Sequence, residues 1–113
     1  MAEMARFVLR DSEVLVHTAK LRKINIGHHD VLVYITSERV VIAGMVFKRV
    51  LKDIPYTAID RVEDSMYPLI KMKKDASFDI IEKSGERTTL YNYIYGENIP
   101  YLMDLIANRG RLA

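Results

Sequence analysis

Val33-Tyr-Ile-Thr-Ser-Glu-Arg-Val-Val-Ile42 places two apolar, β-branched runs on either side of four polar residues, Thr36 to Arg39. Runs of this composition suit strands, and so short a polar break between them marks a hairpin. The short linkage makes the two strands, Val31 to Thr36 and Val40 to Ala43, antiparallel neighbours. Both are apolar at nearly every position, so both are expected to be central in their sheet and at least partly covered on each face.

Upstream, Glu13 to Ile24 is rich in Val, Leu, Ile and Thr without Gly or Pro, which predicts a long first strand. Asn25 to Asp30, with Gly27 and the pair His28-His29, reads as a polar turn. Downstream, Gly44 suggests a bulge or bend, and Met45 to Lys52 mixes apolar with basic residues. Asp53-Ile-Pro-Tyr56 is expected to break the ladder, because Pro55 has no amide hydrogen to donate. Further strands follow at Ala58 to Glu63, Ile70 to Lys74, Ser77 to Glu82 and Arg87 to Tyr95, the last two joined by a Ser84-Gly85 turn.

After Gly96 the period changes. Ile99, Leu102, Met103 and Ile106 stand at i, i+3, i+4 and i+7 and draw one apolar stripe along a helix. Asn98 suits its N-cap, Pro100 its first turn, and Gly110 its termination. Six to seven antiparallel strands in meander order followed by one helix make a mainly β fold, a partly open barrel or orthogonal sandwich capped by the helix.

The order of elements resembles the pleckstrin-homology-like superfamily, particularly its bacterial and archaeal members. Val33 to Ile42 is similar to that family's hairpin of apolar residues, Thr, two polar residues, Arg and apolar residues. Asp53-Ile-Pro-Tyr-Thr-Ala-Ile-Asp-Arg-Val62 is similar to its Ile-Pro segment. The resemblance divides the chain into an N-terminal extension, 1–12, a domain, 13–109, and a tail, 110–113. It implies a binding or assembly module rather than an enzyme.

With 113 residues, half hydrophobic and 28% charged, the chain can form one packed core and is too short for two. The longest nearly apolar run, Val40 to Phe47, is far below the ~20 residues of a membrane-crossing helix. The first residues, with Glu3, Arg6 and Arg10, lack a secretory pattern, so a cytoplasmic place is expected, or one peripheral to a membrane. No cysteine means no disulfide, thiolate nucleophile or cysteine-ligated metal. A net charge of +2 is small for a dedicated nucleic-acid binder.

Three candidate surfaces follow. Lys20, Arg22, Lys23, Lys48, Arg49 and Lys52 could meet an anionic ligand such as a lipid headgroup. Met45, Val46 and Phe47 extend an apolar run beyond what one hairpin needs and suggest an interface with a protein partner or a second copy. Lys71, Lys73 and Lys74 with the same-face Tyr91, Tyr93 and Tyr95 could serve single-stranded nucleic acid, the lowest-ranked partner. His17, His28 and His29 do not make a chelating set on extended chain, and Asp60, Glu63 and Asp64 read as a solvated turn. The expectation is therefore a module without catalytic residues, cofactor or metal, binding protein first and anionic lipid second.

Overall fold

The computed structural model describes residues 6–24, 28–46, 48–65, 77–92 and 95–111. Its strands are β1 (Leu15–Ile24), β2 (His28–Thr36), β3 (Arg39–Gly44), β4 (Val50–Pro55), β5 (Ile59–Asp64), β6 (Ser77–Glu82) and β7 (Arg87–Tyr91). A 3-10 turn, Tyr56–Ala58, precedes β5, and one helix, α1 (Ile99–Ala107), follows β7. The strands form one antiparallel sheet in the order β4-β3-β2-β1-β7-β6-β5.

The edge strands β4 and β5 are consecutive in sequence and joined only by Tyr56–Ala58. Three residues span at most about 10 Å, so the sheet must curl until its two edges approach. Lys52 of β4 accordingly reaches Glu82 at the end of β6 and Glu86 in the β6–β7 turn. Alternate residues of the curled sheet point inward: Ala19 and Leu21, Val31, Val33 and Ile35, Val40 and Ile42, Phe78 and Ile80, all buried in one core.

β2 and β3 are covered on both faces, as their composition requires. Leu32, Val41 and Ala43, on the outer side, are as buried as their inward neighbours. Several boundaries depart from the sequence reading. β1 starts at Leu15 rather than Glu13, because the Glu13 side chain turns into a buried ion pair. His28 to Asp30 lie in the β1–β2 ladder rather than in a turn, each opposite a β1 residue. The ladder does not break at Asp53 to Tyr56 as expected: Asp53, Ile54 and Pro55 lie in β4 opposite Val41, Val40 and Arg39, which an edge strand permits even for Pro55, and only Tyr56 leaves the ladder. The bulge lies across the sheet from the one expected at Gly44: Ile42 pairs with Lys52 and Ala43 with Val50, so Leu51 is the extra residue. β7 ends at Tyr91 rather than Tyr95. The strand expected over residues 70–74 lies outside the described residues.

Among the described residues β1 pairs with β7 at Arg22 to Ile24. Nearer the start of β1, the Glu97 carboxylate accepts the Lys20 amide at 2.7 Å. α1 then closes the open corner, burying Ile99, Leu102 and Ile106 as predicted and also Leu105; Met103 is half-buried. A nine-residue helix is marginal in isolation, so it is these side chains, each stabilised by about 1.5–3 kcal/mol on burial, that hold it.

Asn98 caps the helix, its side-chain oxygen accepting the Tyr101 amide at 3.1 Å. At the other end, Gly110 donates to the Leu105 carbonyl at 2.8 Å and Arg109 to that of Ile106 at 3.0 Å, a Schellman closure. The left-handed residue usually filled by glycine is here Arg109, with φ 56°. Gly110, φ 72°, is required for a second reason: a Cβ on it would lie 2.2 Å from the Thr36 carbonyl oxygen. Gly96, φ 69°, has open space around it.

Gly110→Ala should therefore cost about 2 kcal/mol or more, strain plus collision, lowering the midpoint of thermal unfolding by about 8 °C or more. Gly96→Ala, which meets strain alone, should lose less than half as much; circular dichroism melts of the two variants make the comparison.

Candidate functional site

The polar residues of the opening hairpin converge on a buried ionic knot. The Thr36 hydroxyl accepts the amides of Glu38 and Arg39, both at 3.0 Å, and so shapes the Ser37-Glu38 turn. The same hydroxyl donates to Glu13 at 2.6 Å. Arg39, 7% exposed, grips Glu13 through Nε at 2.8 Å and Nη2 at 3.0 Å. It also reaches Asp53 of β4 at 2.6 Å and the Val8 carbonyl at 2.8 Å. The Arg39 hydrogen bonds, joined by those of Thr36 and the Arg10 amide, hold the Glu13 carboxyl at about 2 against burial that pushes it up. The knot ties the segment before β1, the β2–β3 hairpin and β4 together, which holds the fold.

The six candidate basic residues do not form one patch. Successive residues alternate across β1, so Lys20 and Arg22 lie on the side of the sheet opposite Lys23. Arg22 is paired with Asp30 at 2.8 Å, and that hydrogen bond raises the guanidinium above its usual range. Lys52 is engaged by Glu82 and Glu86. Lys23 is half-buried facing the interior, where desolvation, and then the charge of Lys52, push its amine down. Lys48 and Arg49 are exposed on the β3–β4 turn, and among the described residues no carboxylate pairs with them, with Lys20 or with Lys23.

Of the apolar candidates, Val40 to Ala43 are buried within β3, a central strand. Met45 is half-buried, its sulfur accepting the Tyr95 hydroxyl at 3.6 Å, while Val46 is 82% exposed; Phe47 lies outside the described residues. Tyr91 is buried and paired opposite Arg22. Tyr93 and the lysines at 71, 73 and 74 lie outside the described residues. His17 sits edge-on against Tyr101, ring centres 5.5 Å apart. Asp60 and Glu63 both bind Arg61, and Glu63 also meets Arg87, so this acidic cluster is an exposed ion-pair ladder. The Arg61 hydrogen bond, followed by Arg87, holds the Glu63 carboxyl below its usual range.

A groove that the sequence reading did not anticipate runs between β5 and the C-terminal end of α1. It has a volume of about 300 Å³ and is lined by Tyr56, Ile59, Arg61, Val62, Ile106 and Arg109, among others. Among the described residues β5 has a strand neighbour on one side only, β6. Its other edge therefore leaves backbone donors and acceptors unpaired by sheet, beside a floor of apolar side chains. Arg109 stands at the groove, and among the described residues it has no ion pair. No local pattern announces this site, since residues 56–62 and 106–109 meet only through the tertiary fold.

No family model matches the sequence, and no curated protein matches it. Solved structures do. The C-terminal domain of an unknown protein from Leishmania infantum aligns over 85% of this chain and 86% of its own, with TM-score 0.64 and 13% identity. The DH/PH fragment of PDZRHOGEF, solved in complex with human RhoA, gives TM-score 0.67 and 14% identity over 90% of this chain. An N-terminally truncated linker-DH/PH structure of p115-RhoGEF gives 0.67 and 13% over 87%. The chain spans 30% of the length of each of these two exchange-factor chains. At such identities the likeness establishes the fold, which is pleckstrin-homology-like.

The knot makes a pH signature. Glu13 has its folded pKa depressed to about 2 from 4.5, so its contribution is fully present above pH 4.5 and is lost as pH falls through 2. Glu13→Ala should destabilise the domain by about 3 kcal/mol, because it strands Arg39, and should flatten the acid limb of stability between pH 4.5 and 2. Denaturant midpoints measured across that range test both effects.

Proposed function

We propose that this pleckstrin-homology-like domain is a non-enzymatic binding module that holds an extended segment of a partner protein along the β5 edge. The observation that carries the reading is the open edge of β5 lying beside the groove under α1. An added strand would satisfy the unpaired backbone groups, and its alternate side chains would enter the groove past Val62 and Ile106. β4, the other edge, is less suited to this: it carries Pro55, a bulge at Leu51, and beside its start a bridge between Arg6 and Arg49.

Arg109 supports the same reading. A left-handed backbone costs a non-glycine residue about 1 kcal/mol, a strain tolerated where the side chain is needed. Its guanidinium at the groove suits a segment carrying a carboxylate.

A second reading, recognition of anionic lipid headgroups, is favoured by the exposed Lys48 and Arg49, which have no ion pair among the described residues. Each cation near an anionic surface contributes about 1 kcal/mol, so this small cluster would bind weakly as a monomer.

Selection of a random decapeptide display library on the full chain should enrich Asp- or Glu-containing segments rich in β-branched residues. Arg109→Gly should raise the unfolding midpoint by several degrees while weakening the selected peptides about tenfold. Failure to enrich any sequence, or peptides indifferent to Arg109→Gly, would sink the groove reading.

For the lipid reading, co-sedimentation with phosphatidylserine vesicles at low salt should fall to the phosphatidylcholine level in the double variant Lys48→Glu, Arg49→Glu and at high salt. Equal binding to both vesicle types, or an unaffected double variant, counts against it.

A further inference from the structure

The segment before β1 is docked on the sheet rather than built into it. Residues 6–10 fold back through a turn, Arg10 to Glu13, closed by the Glu13 amide donating to the Arg10 carbonyl at 3.1 Å. The Arg10 amide donates in turn to the Glu13 carboxylate at 2.9 Å. Ser12, the third residue of the turn, has φ 69°, a conformation that favours glycine.

Ahead of the turn, the Phe7 ring stacks on Tyr34 of β2, centres 4.3 Å apart and planes within 12°. The Arg39 guanidinium lies 5.3 Å from the same ring and donates to the Val8 carbonyl. Arg6 forms an antiparallel bridge with Arg49. The grip is thus one ring, one carbonyl, one backbone bridge and the exposed ion pairs of Arg10 with Glu38 and Asp53, while the strap's aliphatic side chains stay outside.

Those side chains point to what completes them. Val8 is 73% exposed, Leu9 43%, Val14 60% and Leu15 40%. Among the described residues, four of the seven exposed large hydrophobic side chains therefore flank one strained four-residue turn. A monomer has no use for that concentration of apolar surface on both arms of a hinge.

We propose that two copies of this chain exchange residues 6–10, each strap taking the seat of the other. Every contact of the strap to Tyr34, Arg39 and Arg49 is kept, since the seat does not depend on which copy supplies the occupant. What is lost is the turn. What is gained is release of Ser12 from its left-handed conformation, together with burial of Val8, Leu9, Val14 and Leu15 as the two opened arms run antiparallel past each other. The exchange is independent of the β5 groove, so either proposal can fail without the other.

Because the chain has no cysteine, single cysteines report the exchange cleanly. Residues 6 and 49 are bridged, which sets their Cα atoms within disulfide reach. Full-length Arg6→Cys and Arg49→Cys chains, mixed in equal amounts at high concentration and then oxidised, should give more mixed disulfide than the half expected from random pairing. Light scattering of the unmodified chain should show a dimer that grows with concentration. Ser12→Gly, which removes strain at both hinges, should weaken association about tenfold. A monomer at every concentration up to high micromolar overturns the proposal. So does a dimer whose mixed disulfide does not exceed one half, which would place the contact elsewhere, or a Ser12→Gly chain that associates as well as the original.

Discussion

The structure depends on where one guanidinium goes. Arg39 closes the β2–β3 hairpin and is buried there with its charge, and a buried cation must be met by carboxylates and carbonyls from whatever part of the chain can reach it. It draws in Glu13 from just ahead of β1, Asp53 from β4 and the Val8 carbonyl from the strap. The neighbouring Thr36 carbonyl takes the Tyr56 hydroxyl at 2.7 Å and packs against Gly110 beyond the helix. One end of the domain is therefore assembled around a single polar centre. A well-packed apolar cluster of the same volume could be as stable, so the merit of the knot is that only one arrangement of these segments satisfies it.

The rest of the surface follows from how the sheet curls. Closure between β4 and β5 is incomplete, and α1 closes the open corner, with the Glu97 carboxylate ahead of it on the Lys20 amide. That placement covers the core and at the same time turns the far end of the helix toward the open edge of β5. Among the described residues, the non-glycine residues with left-handed backbones, Ser12, Lys48 and Arg109, lie at the strap hinge, the β3–β4 turn and the groove. Strain of this kind survives where surrounding structure over-determines it.

The shared architecture with DH/PH fragments of Rho exchange factors concerns the scaffold. Identities of 13–14% leave every surface residue free to differ. Part of the basic charge of this chain is spent internally: Arg22 on Asp30, Lys52 on Glu82 and Glu86, Arg61 and Arg87 on the carboxylates of β5 and β6. Basic residues counted along the sequence overstate the cation available to a ligand, because each pair formed on folding removes one.

Strands β1, β2, β3, β5, β6 and β7, the Thr36 to Arg39 turn and the helix with its Asn98 cap were legible in the sequence, because period-2 and period-3.6 patterns, cap chemistry and turn residues act over a few neighbouring positions; β4, with its Pro55, was not. The Thr36 to Arg39 hairpin was legible as a turn. That its Arg is buried was not, since its partner Glu13 is 26 residues away. Gly110 read as the helix terminator, whereas Arg109 takes the left-handed position and Gly110 answers to the distant Thr36 carbonyl. The strap was set apart from the domain by sequence alone, yet its seat on Tyr34 and Arg39 belongs to the folded sheet. Sequence by itself thus determined most of the strands, the helix and that they enclose one core. Tertiary structure alone decided which charges are spent, which edge is left open and what lies beside it, because partners brought together by the curl of a sheet leave no local period to read.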